Sequence, residues 1–109
     1  MGMNRGAVVV VALQGAYGKP RPALVIQSDL FSALPSVTIL PITSDLREAP
    51  LYRIDIEAAP RTGLHKPSQI MVDKPQTIPR EKVGEVIGSV NAETMLAVSR
   101  SLTVFLGIA

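Results

Sequence analysis

At 109 residues, with 47% hydrophobic residues, the chain has the length of one domain and enough apolar content for a core, which excludes an intrinsically disordered protein. It contains no cysteine, which excludes a disulfide framework and a thiolate metal site and makes a reducing cytoplasm the expected setting. The formal net charge is only +2, but no Asp or Glu precedes Asp29, and Arg61, Lys66, Lys74, Arg80 and Lys82 face only Asp73 and Glu81. That asymmetry favours an anionic partner, either nucleic acid or an acidic protein, over a neutral one.

The first apolar run, Ala7–Leu13, is too short to span a bilayer and lacks the cleavage pattern of a signal peptide, so it predicts a strand buried on both faces and no membrane association. Gln14–Pro22 reads as a loop ending in the knot Gly-Lys-Pro-Arg-Pro, Gly18–Pro22, and Pro22–Gln27 as a second strand. Ser28 predicts a cap on a short helical turn stopped by Pro35. Val37–Ile42 predicts a third strand, with Pro41 placing it at an edge or marking its end. Leu51–Glu57 alternates, with Tyr52, Ile54 and Ile56 on one face and Arg53, Asp55 and Glu57 on the other. Ser68–Asp73 alternates as well, with Ile70 and Val72 inward and Gln69, Met71 and Asp73 outward. Glu85–Val90 predicts a sixth strand, its Gly88 marking a bulge. Asn91 then caps a terminal helix with Met95, Val98, Leu102 and Phe105 on one stripe, closed by Gly107. Six short strands and one helix predict a mainly β (α+β) fold, a partly open small barrel with a C-terminal helix packed on it.

Four places in this layout carry chemistry. Two prolines stiffen the backbone on both sides of Arg21, and a guanidinium mounted rigidly loses little entropy on pairing with phosphate oxygens. The bland alternative is an arginine paired with a local carboxylate at a turn. Thr43 and Ser44 leave a strand end as two hydroxyls, either phosphate donors or turn caps. Asp73 stands at a strand end beside Lys74, as a base for a ribose hydroxyl or as one half of a surface ion pair. His65 is the sole histidine and reads as a loop residue; with no histidine to pair it, a two-histidine ribonuclease within one chain is excluded. No cluster at metal-ligand spacing and no phosphate-cradling glycine motif occurs, so no metal and no cofactor are expected.

The blocks G-K-P-R-P-A-L-V-I-Q, V-T-I-L-P-I-T-S, P-S-Q-I-M-V-D-K-P-Q-T-I-P and V-G-E-V-I-G-S-V, in this order, closely resemble the MazF/PemK (Kid-like) toxins of type II toxin–antitoxin systems. The resemblance runs from Arg5 to Ile108, as a single toxin domain over 1–109. It implies an SH3-like barrel that forms a homodimer, and metal-independent, sequence-selective cleavage of single-stranded RNA. It further implies a cognate antitoxin whose acidic, disordered tail wraps the dimer and, through that complex, operator DNA. The family's arginine in R-P falls on Arg21 and its strand-end threonine on Thr43, with Asp73 as the carried-over acid. Lys19, Ser44, Gln69 and Lys74 are the residues expected to bind RNA.

This sequence departs from the pattern twice. Met71 stands where the PemK branch carries the arginine of an Arg–Asp pair, and Gly15 and Ala16 stand where many relatives place His or Glu. Arg21 and Thr43 then carry the chemistry with Asp73 as helper, and the preceding loop, Gln14–Lys19, gates RNA access. The alternatives are a catalytically impaired or non-enzymatic toxin or regulator of the same fold. One is a CcdB-like gyrase poison, disfavoured because the chain ends FLGIA without a tryptophan; the other is an antitoxin-binding module.

Overall fold

The β-branched run near the N-terminus forms β1, Ala7–Ala12, and the sheet is assembled around it. Residues 3–12 and 19–108 are described by the computed structural model, so Leu13 and all but Lys19 of the expected gating loop, Gln14–Lys19, lie outside the described residues. After β1 come β2 (Pro20–Val25), β3 (Ser36–Thr43), β4 (Arg53–Ile56), β5 (Ser68–Met71), β6 (Gln76–Pro79), β7 (Val83–Ser89) and the helix α1 (Ala92–Leu106). All pairings are antiparallel, in the order β4-β5-β3-β2-β1-β7, with β6 beside β3. Among the described residues β4 and β7, the two ends of this path, do not pair with each other, so the sheet is open and curled, as the expected partly open barrel requires.

Two apolar layers hold the sheet, one on each face of its central strands. Val9, Val11, Ala23, Val25, Val37 and Ile39 point into the curl, closed over by Ile78 of β6 and Val83 of β7. Val8, Leu24, Leu40 and Ile42 point the other way, against Ile56, Ile70, Val72 and Val98 of α1. Consecutive residues of a strand face opposite sides, so a strand buried on both faces must be apolar at every position. That is why β1 reads Ala-Val-Val-Val-Val. Each buried Val, Leu or Ile contributes about 1.5–3 kcal/mol relative to exposure.

The helix is bounded by its own signals. The Asn91 side chain accepts from the Thr94 amide at 2.8 Å, and Gly107 takes the left-handed conformation at φ +75°, closing the last turn. Met95, Val98 and Leu102 pack on the sheet as expected, but Phe105 is 48% exposed and lies off the packed stripe. Arg5 ties the N-terminus to this helix, donating to the Ser99 hydroxyl at 2.6 Å. Ser28 caps the turn at Asp29–Phe31, accepting from the Leu30 amide at 3.2 Å.

Several expectations are corrected. The proline knot is not all loop: Pro20, Arg21 and Pro22 pair with Ala12, Val11 and Val10 as the first half of β2. Pro20 and Pro22 alternate, so their missing N–H groups share one edge, and β3 reaches along β2 only to Ala23. Pro41 sits in an interior strand, opposite Ala23, and not at an edge. On its other side β6 ends at Ile39 and β5 begins at Ile42, so the proline falls where β3 changes partners. The strand β6 was not expected at all, because Pro75 and Pro79 bound it and it lies on an exposed edge. The strand at Ser68 stops at Met71, leaving Asp73 beyond it. β7 begins at Val83, and its register against β1 breaks between Val86 and Gly88, the expected bulge. Gly88 has a second reason to be glycine, since a Cβ there would sit 2.3 Å from the Thr62 carbonyl carbon.

Candidate functional site

Past the end of the helix-side core, β1, β2 and β3 frame a cavity of about 640 Å³. Its apolar floor is Val10, Pro22, Ile42, Leu64 and Ile87, the continuation of the core face beyond the last packed layer. Its polar rim comes from three segments: Arg21 on β2, Thr43 to Asp45 at the end of β3, and His65, Lys66 and Ser68 leading into β5. Three of the sequence-predicted residues, Arg21, Thr43 and Ser44, are therefore brought to one place.

Each is held by a distinct device. Arg21 is exposed, its backbone fixed between two prolines and paired with Val11, and among the described residues no carboxylate bridges to it. The local-carboxylate alternative is thus not what the structure contains. The Thr43 hydroxyl oxygen accepts from the Asp45 amide at 3.0 Å, which leaves its O–H free to donate. Behind that turn lies a buried polar clamp. Arg53 donates to the Asp45 carbonyl and to the Gln69 Oε1, both at 2.9 Å. Gln69 Oε1 also accepts from the Arg47 amide at 3.0 Å, while its Nε2 donates to the Arg47 carbonyl at 2.9 Å and to Asp55 at 3.1 Å. The segment Asp45–Arg47 is gripped from both ends, and with it the hydroxyl pair at the cavity.

The same clamp relocates two expectations. Arg53, read as part of an outward polar face, is buried at 8% exposure, and Gln69, read as outward and RNA-binding, is buried at 7% with its amide engaged inside the protein. Their alternation is correct in phase, but the Asp45–Arg47 segment lies over the outward side of the β4–β5 ribbon at Arg53 and Gln69, while Asp55 beside them stays exposed. Asp73 and Lys74 pair with each other at 3.6 Å and do not line the cavity; Lys19 is exposed just before β2 and does not line it either. Gly15 and Ala16 lie outside the described residues.

His65, Lys66, Ser68 and Asp45 join the site without having been singled out as part of it. The pairing of Thr43 with Gln69 does this, because it sets the residues just before Gln69 beside those just after Thr43. The available signal was the adjacency of the sole histidine to a cation at the mouth of a strand. With Arg21 and Lys66 facing one carboxylate, Asp45, which is itself bridged to Arg47 at 3.2 Å, the rim is cationic and suits an anion.

Known proteins resemble this chain in sequence and fold over nearly its whole length. A Mycolicibacterium smegmatis protein named probable endoribonuclease MazF is 47% identical over 108 residues, spanning 98% of this chain and 99% of its own. Among solved structures, the Mycobacterium tuberculosis toxin MazF-mt6 superposes with a TM-score of 0.82 at 26% identity, over 94% of this chain and 98% of its own. A chain of the Deinococcus radiodurans MazE–MazF structure shares the fold, with a TM-score of 0.79 at 20% identity over 97% and 96% of the two chains. The family model for the PemK-like, MazF-like toxin of type II toxin–antitoxin systems matches residues 4–106. With that match over nearly its whole length, the chain belongs to the PemK-like, MazF-like toxin family of type II toxin–antitoxin systems.

Proposed function

We propose that the chain is a toxin acting as a metal-independent endoribonuclease on single-stranded RNA, with its reaction centred on Arg21 and Thr43. The observation that carries this reading is the convergence of a strand-mounted, carboxylate-free arginine and a hydroxyl with its proton free on one cationic cavity. Metal-independent RNA cleavage uses the substrate's own 2′-OH as nucleophile, so the protein's task is to orient the phosphate, neutralise the charge that builds on it and move protons. Arg21 keeps its charge at any working pH and supplies the neutralisation. Thr43 donates to a non-bridging phosphate oxygen, and Ser44 offers a second donor beside it. Gln69 and Arg53 hold the turn that carries these hydroxyls and do not touch RNA. Asp73, bridged to Lys74 outside the cavity, is assigned a supporting place.

The cationic rim also suits the acidic segment of a cognate antitoxin, which would block the cavity by occupying the same charges. A homodimer would set two such rims along one extended strand. Operator DNA is reached through the toxin–antitoxin complex. The test is incubation of the purified protein with a mixed RNA in EDTA, followed by end analysis of the fragments. Products with 2′,3′-cyclic phosphate or 3′-phosphate and 5′-hydroxyl ends are expected; intact RNA would overturn the reading.

A further inference from the structure

We propose that His65 is the proton-transfer group of this cavity, the base that takes the 2′-OH proton of the RNA. The proposal rests on the endoribonuclease reading above and names the part that Arg21 and Thr43 leave unfilled. Arg21 does not surrender its proton, and the Thr43 hydroxyl is a hydrogen-bond donor and not a base. The Asp45 carboxylate is bridged to Arg47, and Asp73 lies outside the cavity. Of the side chains on the rim, only an imidazole ordinarily exchanges its proton between about pH 5 and 8.

His65 is exposed, yet its backbone is not free to wander. On its N-terminal side Gly63, at φ +74°, is pressed so closely onto β7 that a Cβ there would sit 2.1 Å from the Ile87 carbonyl oxygen. The buried Thr62 hydroxyl accepts from the Leu64 amide at 3.3 Å and donates to the Glu57 carbonyl at 2.8 Å. Leu64 packs against the helix-side core. On the C-terminal side the Ser68 hydroxyl donates to the Lys66 carbonyl at 2.9 Å. The histidine is thus presented between two anchors at the cavity that holds Arg21 and Thr43. The charged groups sharing that cavity are Arg21 from β2, Asp45 after β3 and Lys66 on its own loop. His65 also lines a second hollow with Ala58, Ala59 and Pro60, which carry no charge.

The step balances as follows. A neutral imidazole nitrogen removes the 2′-OH proton as the 2′-oxygen bonds to phosphorus. The P–O5′ bond breaks with its electron pair going to O5′, which takes a proton from solvent water. The products are a 2′,3′-cyclic phosphate and a 5′-hydroxyl, and the imidazolium returns its proton to solvent.

The experiment measures single-turnover cleavage against pH for the wild type, His65→Gln and His65→Ala, with binding measured on an oligonucleotide carrying 2′-deoxyribose at the cut. Removing a general base costs about 10²–10⁴-fold in rate. The wild-type rate should climb with pH on the acidic side; His65→Gln should lose that limb and the rate while binding the 2′-deoxy oligonucleotide as the wild type does. Added imidazole should restore part of the rate to His65→Ala. Unchanged circular dichroism and melting temperature are expected, because the side chain is exposed. Three results would overturn the proposal: a folded His65→Gln with wild-type rate and limb, a defect confined to binding, or full rescue of His65→Gln by a 5′-thio leaving group, which would make His65 the acid. A wild type that cleaves no RNA would sink the endoribonuclease reading itself, whereas an active wild type with an indifferent His65 sinks only this assignment.

Discussion

Arg21 and Thr43 differ in how much of their environment each needs. Arg21 contributes a charge held by the strand backbone, so truncation removes the charge and little else. Arg21→Ala is expected to lower the rate of RNA cleavage by about 10²–10³-fold, the effect of losing one fixed donor at a developing charge, with an unchanged melting curve. Thr43 has two duties, since its oxygen accepts the Asp45 amide while its proton is offered to substrate. Thr43→Val removes both. It should lose activity and about 0.5–1.5 kcal/mol of stability in urea titration. Thr43→Ser keeps both groups and should retain most of the rate, so a Thr43→Val protein with the wild-type rate would show that the hydroxyl does not matter, and a damaged Thr43→Ser that the methyl does.

At the scale of elements, the site depends on two segments being fastened from behind. The turn after β3 is gripped by Gln69 and Arg53, whose Nε has no partner and is fully buried. Gln69→Leu leaves further buried groups unpaired, among them the Arg47 amide, and should cost about 1–3 kcal/mol. Activity should fall with it even under conditions where the protein remains folded, because Thr43 and Ser44 lose their backing; a destabilised variant of normal rate would detach the clamp from the site. The loop before β5 is fastened by Gly63. Gly63→Ala meets both a left-handed backbone and the Ile87 carbonyl at 2.1 Å, so a loss beyond the about 1–3 kcal/mol of backbone strain alone is expected. A melting temperature equal to the wild type's would show that this loop does not rest on β7.

For the whole molecule, the open sheet and single helix leave apolar surface that one copy does not cover. Leu30 is 89% exposed, with Phe31 beside it, and at the end of α1 Val104 is 65% and Ile108 75% exposed. Surface of this kind marks an interface, and a two-fold pair is the commonest way to close it. Light scattering at micromolar protein should therefore report a dimer, and a monomer at that concentration would refute the pairing. Binding of RNA or of an acidic peptide to the cationic rims should weaken as salt rises from low ionic strength, because exposed charges are screened over about 10 Å at 0.1 M. Affinity indifferent to salt would remove the cations from the recognition.

Much of this architecture was written in local pattern. The run Ala7–Ala12 had to be a strand buried on both faces, because every position is apolar and four in succession are β-branched. The helix carried its cap at Asn91 and its stop at Gly107, and the four ordered blocks carried the family. Proline misled in both directions, at Pro20 read as loop, at Pro41 read as an edge or a strand end, and at Pro75 and Pro79, which hid β6. Whether a missing N–H is tolerated depends on what lies across that edge of the strand, and a neighbour is a tertiary fact. Gln69 and Arg53 misled for the same reason, since alternation gives the face of a residue but not whether a turn will fold over it. His65 could not be assigned from its own loop. Only the antiparallel pairing of β3 with β5, contacts between segments far apart in the chain, brings that loop beside Thr43 and makes one cavity of three separate stretches.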